Sequence, residues 1–128
     1  MSFPCNTLYS YLSNYAGLKA LVGTRIYPAP APEQCSKPYC AYMVIDEIRY
    51  YSHGGYSNYS EYRIQISCFG ETRASSQAVA DQVILAMEAW PDSNSDIQRS
   101  FFESGFSIYE EITELHHIPC DFIVAYGG

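Results

Sequence analysis

The chain has 128 residues, 48% hydrophobic, 16% aromatic and 16% charged, with a formal net charge of −7. This composition excludes a disordered chain, and the length suits one domain, residues 1–128, that folds without a disulfide or a metal. The acidic balance, with Lys19 and Lys37 the only lysines, excludes a protein that grips nucleic acid through its phosphates.

The first element reads as a helix. Leu8, Leu12, Tyr15, Leu18, Leu21 and Val22 recur at three- and four-residue steps. Asn6 or Thr7 is the expected cap, Gly17 the expected break into two pieces, and Gly23 the expected end. Thr24–Tyr27 is a short extended piece. Pro28–Pro38 reads PAPAPEQCSKP, an exposed, extended connector poor in backbone donors.

Tyr39–Tyr50 reads as a strand, with Tyr42, Val44, Ile48 and Tyr50 on one face and Ala41, Met43, Ile45, Glu47 and Arg49 on the other. Both faces are apolar around Met43–Ile45, so cover on both sides is expected there. Glu61–Phe69 alternates more strictly: Tyr62, Ile64, Ile66 and Cys68 point to the core and Glu61, Arg63, Gln65 and Ser67 to water. Between the two strands, residues 51–60 are rich in Gly, Ser and Tyr. They read either as a plain hairpin loop or as a contact loop carrying Tyr51, His53, Tyr56, Asn58 and Tyr59.

Thr72 is the expected cap of a long second helix whose stripe is Val79, Val83, Ala86, Met87 and Trp90, with Pro91 closing it and Pro91–Asp96 a loop. Strands are then expected at Phe106–Thr113 and Ile118–Tyr126, joined by His116–Pro119. The order is α-β-β-β-α-β-β. It predicts an α/β fold of the α+β kind: a largely antiparallel sheet of four to five strands with two helices on one face.

The cysteines are Cys5, Cys35, Cys40, Cys68 and Cys120. An odd count without CxxC predicts free thiols, with Cys68 and Cys120 as small core residues. The start Met1–Asn6 has neither the basic nor the apolar region of a signal peptide, and no segment reaches the roughly 20 apolar residues of a membrane span. Folding in a cytoplasm, away from membranes, is expected.

Catalytic patterns are absent from the sequence. His53-Gly54-Gly55-Tyr56 lacks the lysine and the strand-to-helix setting of a phosphate loop, and no GxSxG elbow occurs. His116 and His117 are adjacent, as are Glu110 and Glu111, so each pair splits across a strand and forms no metal or acid/base site. No catalytic residue, cofactor or metal is expected. Asp46, Glu47, Glu110, Glu111 and Glu114 gather on or beside expected strands; they read as a solvated outer face or as an acidic lumen.

The run Ala16-Gly17-Leu18-Lys19-Ala20-Leu21-Val22-Gly23-Thr24-Arg25-Ile26-Tyr27-Pro28 resembles the signature of phage tail-completion (tail terminator) proteins. Pro38-Tyr39, Tyr62–Phe69 and Asp121–Tyr126 resemble later segments of that family in the same order, so the likeness spans roughly residues 6–126. It implies a non-enzymatic virion protein of the tail or neck. Six copies would form a ring on the head-proximal end of the tail tube, touching the tube protein and the head-tail connector or stopper, with DNA passing through unbound. The rival readings are another neck or tail component, such as a head-completion protein or tube subunit, and a small ligand-binding α+β domain.

Overall fold

The computed structural model describes residues 5–32, 36–111 and 114–127, without the side chains of residues 5, 6, 52 and 56–58. Its elements run α1 (Cys5–Asn14), α2 (Ala16–Val22), β1 (Ile26–Pro28), β2 (Tyr39–Ser52), β3 (Gly55–Gly70), α3 (Arg73–Ser93), β4 (Ile97–Gly105), β5 (Ile108–Glu110) and β6 (Leu115–Gly127). The sheet order is β1-β2-β3-β6-β4, with β5 also on β6. Only the β1–β2 pair is parallel. The α+β class is as expected, with six strands and three helices instead of four to five and two.

Alternation builds the core. Tyr62, Ile64, Ile66 and Cys68 of β3 and Ile118, Cys120, Phe122 and Val124 of β6 are buried on one face. Across from them lies the α3 stripe Val79, Val83, Ala86, Met87 and Trp90, each 0–1% exposed. Leu8, Leu12, Leu18 and Val22 bring α1 and α2 into the same cluster. Tyr11 ties the helices together: its ring stacks on Trp90 at 5.5 Å and its hydroxyl donates to the Ala86 carbonyl at 2.6 Å. Burial, aided by Tyr15 and Asp92, pushes the Tyr11 pKa up to about 12.

Several boundaries differ from the sequence reading. The helical break falls at Tyr15, which is extended (φ −72°, ψ 116°), and Gly17 lies inside α2. A Cβ at Gly17 would overlap only the end of the flexible Gln82 side chain, which can swing aside. Asn6 and Thr7 lie within α1, whose span begins at Cys5. Gly23 does end α2, at φ 60°, with its N–H on the Lys19 carbonyl. Thr72 caps α3 through Ser75 N–H at 3.0 Å. Pro91 does not close α3; one turn continues to Ser93, where Asn94 N–H bonds the Trp90 carbonyl. A proline so near the end costs little, because few backbone bonds follow it.

The last third differs most. Phe106–Thr113 is not one strand among the described residues. Ile97–Gly105 forms β4, and β5 is a short segment further on, with Ile112 and Thr113 outside the described residues. His116–Pro119 is no connector but part of β6. Pro119 falls between the β4 and β5 pairings, where that side of β6 has no paired residue and the missing N–H is tolerated.

Cys40, Cys68 and Cys120 are free and buried, while Cys5 and Cys35 lie outside the described side chains. Hydrogen bonds to Cys120 and Cys40, together with burial, hold the Cys68 thiol well above its usual range, so it stays protonated.

Gly70 sets the turn from β3 into α3. A Cβ there would stand 2.7 Å from the Ser76 backbone nitrogen, an atom the α3 helix holds in place. Gly70→Ala is expected to cost about 1–3 kcal/mol, read as a lower urea midpoint at unchanged slope. At Gly54 a Cβ meets nothing within 4 Å; Gly54→Ala should shift stability by no more than about 0.5 kcal/mol. Equal effects at the two positions would contradict this account.

Candidate assembly surface

The helices cover one face of the sheet and leave the other open. Among the described residues, no helix covers Met43, Ile45, Ile48 and Tyr50 of β2 or Phe101 of β4, which are 46%, 46%, 51%, 41% and 40% exposed; Tyr59 packs beside Tyr50, and the Arg99 guanidinium lies over the Phe101 ring. The cover expected on both sides of Met43–Ile45 is therefore absent on this side. The same face carries Glu61, Arg63, Gln65 and Asp121. Arg63 reaches both Glu103 and Asp121, Arg99 reaches Glu61 at 3.3 Å, and Gln65 donates to Asp121 at 3.1 Å. The bond to Glu103 raises the Arg63 pKa further, so that charge is permanent. The face is thus apolar patches laced with ion pairs, a mixture typical of protein contact surfaces.

A one-residue bulge decides which β2 side chains reach it. Val44 pairs with Ile64, but Asp46 pairs with Arg63, leaving Ile45 as the extra residue. Alternation flips there. Ile48 and Tyr50, expected on the face of Tyr42 and Val44, stand on the open face, while Glu47 turns to the helix side opposite Tyr62. Its carboxylate accepts from Arg49 at 2.9 Å, Tyr62 at 3.1 Å and Ser60 at 3.4 Å. The Arg49 hydrogen bond, reinforced by the two hydroxyls, holds the Glu47 carboxyl below its usual range.

Residues 51–60 are not a loop. β2 and β3 continue as a two-stranded ribbon in which Tyr51 pairs with Tyr56 and Ser52 with Gly55, so only His53 and Gly54 turn the chain. The alternation of Tyr with Ser favours strand, and Gly55 supplies the positive φ (109°) that the turn needs. Tyr51 is 67% exposed, His53 is exposed, and Tyr59 packs against Tyr50 at 5.3 Å. The side chains of Tyr56 and Asn58 lie outside the described ones.

The five acidic candidates do not form one cluster. Asp46 and Glu47 sit on opposite faces of β2. Glu110, Glu111 and Glu114 sit around the β5–β6 turn, where Glu114 adopts φ 57°. Through β3, Asp46 lines up with Ile123 of β6, whereas Glu110 pairs with Leu115, eight residues away along that strand. At about 3.3 Å per residue the two groups stand more than about 20 Å apart.

Near the second group, an aromatic row crosses the open face. Tyr27 meets Tyr39 edge-on at 6.2 Å, Tyr39 stacks on Phe69 at 4.7 Å, and Phe69 stacks on His117 at 4.2 Å. His117 Nδ1 is 3.4 Å from Glu110, and its buried Nε2 has no partner among the described residues. His116 points to the other face, against Tyr109, in a depression of about 260 Å³ that Arg73 and Ser76 also line. Sequence reasoning missed this row, because it needs the cross-strand register. It also missed Phe101, which lies in a strand not foreseen. Among the described residues, no group of His, Cys, Asp and Glu could hold a metal ion, and no helix is long and apolar enough to cross a membrane.

The family described as tail completion protein gp17 matches residues 6–127. The chain belongs to that family. It is a structural component of the phage virion tail or neck, and its partners are other proteins of the tail and head. No curated protein matches the chain. A chain from the solved virion of a native gene transfer agent (GTA) particle is similar to it in fold, with TM-score 0.77 and 20% identity over 99% of this chain and 100% of that one.

Burial pushes the His117 pKa below its usual 6.5, with Glu110 pulling the other way. In the unfolded chain this histidine takes up a proton near pH 6.5, before the folded one does. The unfolded state then binds more protons, so stability is full above that pH and falls as pH drops below it. His117→Phe keeps a ring on Phe69 and removes the titration. Its stability should therefore fall less than wild type between about pH 7 and pH 5 in urea titrations. An unchanged slope would show that His117 is not the titrating group.

Proposed function

We propose that this tail completion protein is the tail terminator: residues 1–128 act as one domain, six copies of which form a ring on the head-proximal end of the tail tube. The ring ends tube polymerisation and joins the tail to the head's connector or stopper protein. It is assembled in the host cytoplasm and works without catalysis or cofactor. The observation that supports this reading most is a family match over nearly the whole chain, on a sheet with one open, mixed apolar and charged face.

Each part of the surface has a use in such a ring. The ribbon tip, with Tyr51, His53, Tyr56, Asn58 and Tyr59 on or beside it, projects past the end of β6 and reaches the tube or the connector. Tyrosines give such a tip contact area at low entropic cost. The channel wall is drawn from the open face. Asp46 and Glu110 stand there with Glu61 and Asp121 against Arg63 and Arg99, while Glu111 and Glu114 sit at one end. Net negative charge lets DNA pass through without sticking. Glu47 takes no part in the channel; its carboxylate is engaged on the helix side.

The test is genetic and visual. Phage lacking this gene should make tails of irregular, excessive length that fail to join filled heads, seen by electron microscopy. Tails of normal length, or no tails, would overturn the terminator role. The second of these outcomes would point to a tube subunit.

A further inference from the structure

Resting on that ring, we propose how its copies join: the free edge of β2 in one copy pairs antiparallel with the free edge of β4 in the next, so that the sheets run on into a closed barrel. Three observations lead there.

The first is that both edges are open and equal in length. β1 pairs only with Cys40, Ala41 and Tyr42, which leaves Met43–Ser52, ten residues or about 33 Å, without a strand beside it among the described residues. At the other end of the sheet, β4 pairs with β6 alone among the described residues and offers nine residues, about 30 Å. Neither stretch contains Lys or Pro, the usual guards of an exposed edge. Both carry bulges against their inner neighbours, which twist the strands.

The second is strand sense. β2–β3, β3–β6 and β6–β4 are each antiparallel, so β4 runs opposite to β2. A neighbour related by rotation about an axis along the strands keeps its strand directions. Its β4 then meets β2 in the antiparallel sense, and the same contact repeats head to tail until the ring closes.

The third is the side chains. Ile48 of β2 and Phe101 of β4 both stand on the open face, 51% and 40% exposed, at opposite borders of one copy. Joining the edges brings such residues side by side across the seam, where cross-strand apolar pairs stabilise a sheet. A second copy fits both edges at once. A tube or connector strand taking one edge would leave the other open.

The experiment uses the full chain in virions, made by complementing phage that lack the gene. In hydrogen exchange, the wild-type amides of 43–52 and 97–105 should slow about tenfold or more in the virion relative to the free protein. Equal exchange at either edge would overturn the joint. For the seam itself, Ile48→Cys is combined in turn with Arg99→Cys, Phe101→Cys or Glu103→Cys, with Cys5 and Cys35 changed to Ser. Within one copy, β2 and β4 lie three strands apart, about 14 Å, too far for an internal disulfide. Oxidation should therefore give a ladder of covalent multimers of this chain with at least one pair, and none with Ile48→Cys plus Leu85→Cys on α3. A disulfide to a different virion protein, or no ladder from any pair, would overturn the proposal. The exchange result stands whether or not the cysteine variants assemble. A ring of six with unprotected edges would remove the joint alone, whereas normal tails without the gene would remove the terminator reading beneath it.

Discussion

One-sided packing is the constraint on which the rest of this molecule depends. A single sheet has two faces, and this chain supplies helices for only one. α3 lays its Val79–Trp90 stripe across β3 and β6, and α1 and α2 fill in beside it through Tyr11, Leu12 and Leu18. That layer buries the large aliphatic side chains and Trp90 and accounts for the stability of the subunit. It also leaves a sheet face and two long edges that no other described element covers. In an isolated protein these are liabilities. In the ring proposed above they are the surfaces on which assembly acts.

The bulge at Ile45 links local geometry to that division. Without it, Glu47 would stand on the open face and Ile48 and Tyr50 would enter the helix side. With it, a charged residue is drawn inward and the sheet holds it with Arg49, Tyr62 and Ser60. Two large side chains, Ile48 and Tyr50, move outward in exchange, with Ile45 itself exposed beside them. The reversal is confined to the part of β2 that has no β1 beside it. The half of β2 that belongs to the core and the half that is exposed are therefore distinct along one strand.

Strong periodicity was legible in the sequence and weak periodicity was not. The α3 stripe, the Thr72 cap, the inward rows of β3 and β6 and the Gly23 helix end follow from spacing and cap chemistry alone. The ribbon at 51–60 was hidden by its composition: Gly, Ser and Tyr suit a loop as well as a strand, and cross-strand pairing chose the strand. β4 was hidden because Ile97–Gly105 mixes polar and apolar residues without clean alternation, as an edge strand with two bulges does. The Ile45 bulge left no signal, since an inserted residue looks like any other until its partner strand is known. The acidic candidates looked like a cluster because they lie close in sequence in two groups; the topology sends the groups to opposite ends of the sheet. Tyr62 is buried, as its alternation predicted; Tyr39 and Tyr42 are buried too, and Tyr11 is a packing and hydrogen-bonding post between helices that spacing alone did not reveal.

The family match places this chain in the virion tail or neck, and the open face and edges fit a protein whose structure is completed by its neighbours. A cryo-electron microscopy reconstruction of the neck of the intact virion tests that claim most directly. The account expects one ring of six copies at the head-proximal end of the tube, helices outward and the open sheet face toward the channel. Copies repeated along the tube, or a ring with helices lining the channel and the open sheet face bare to solvent, would contradict it.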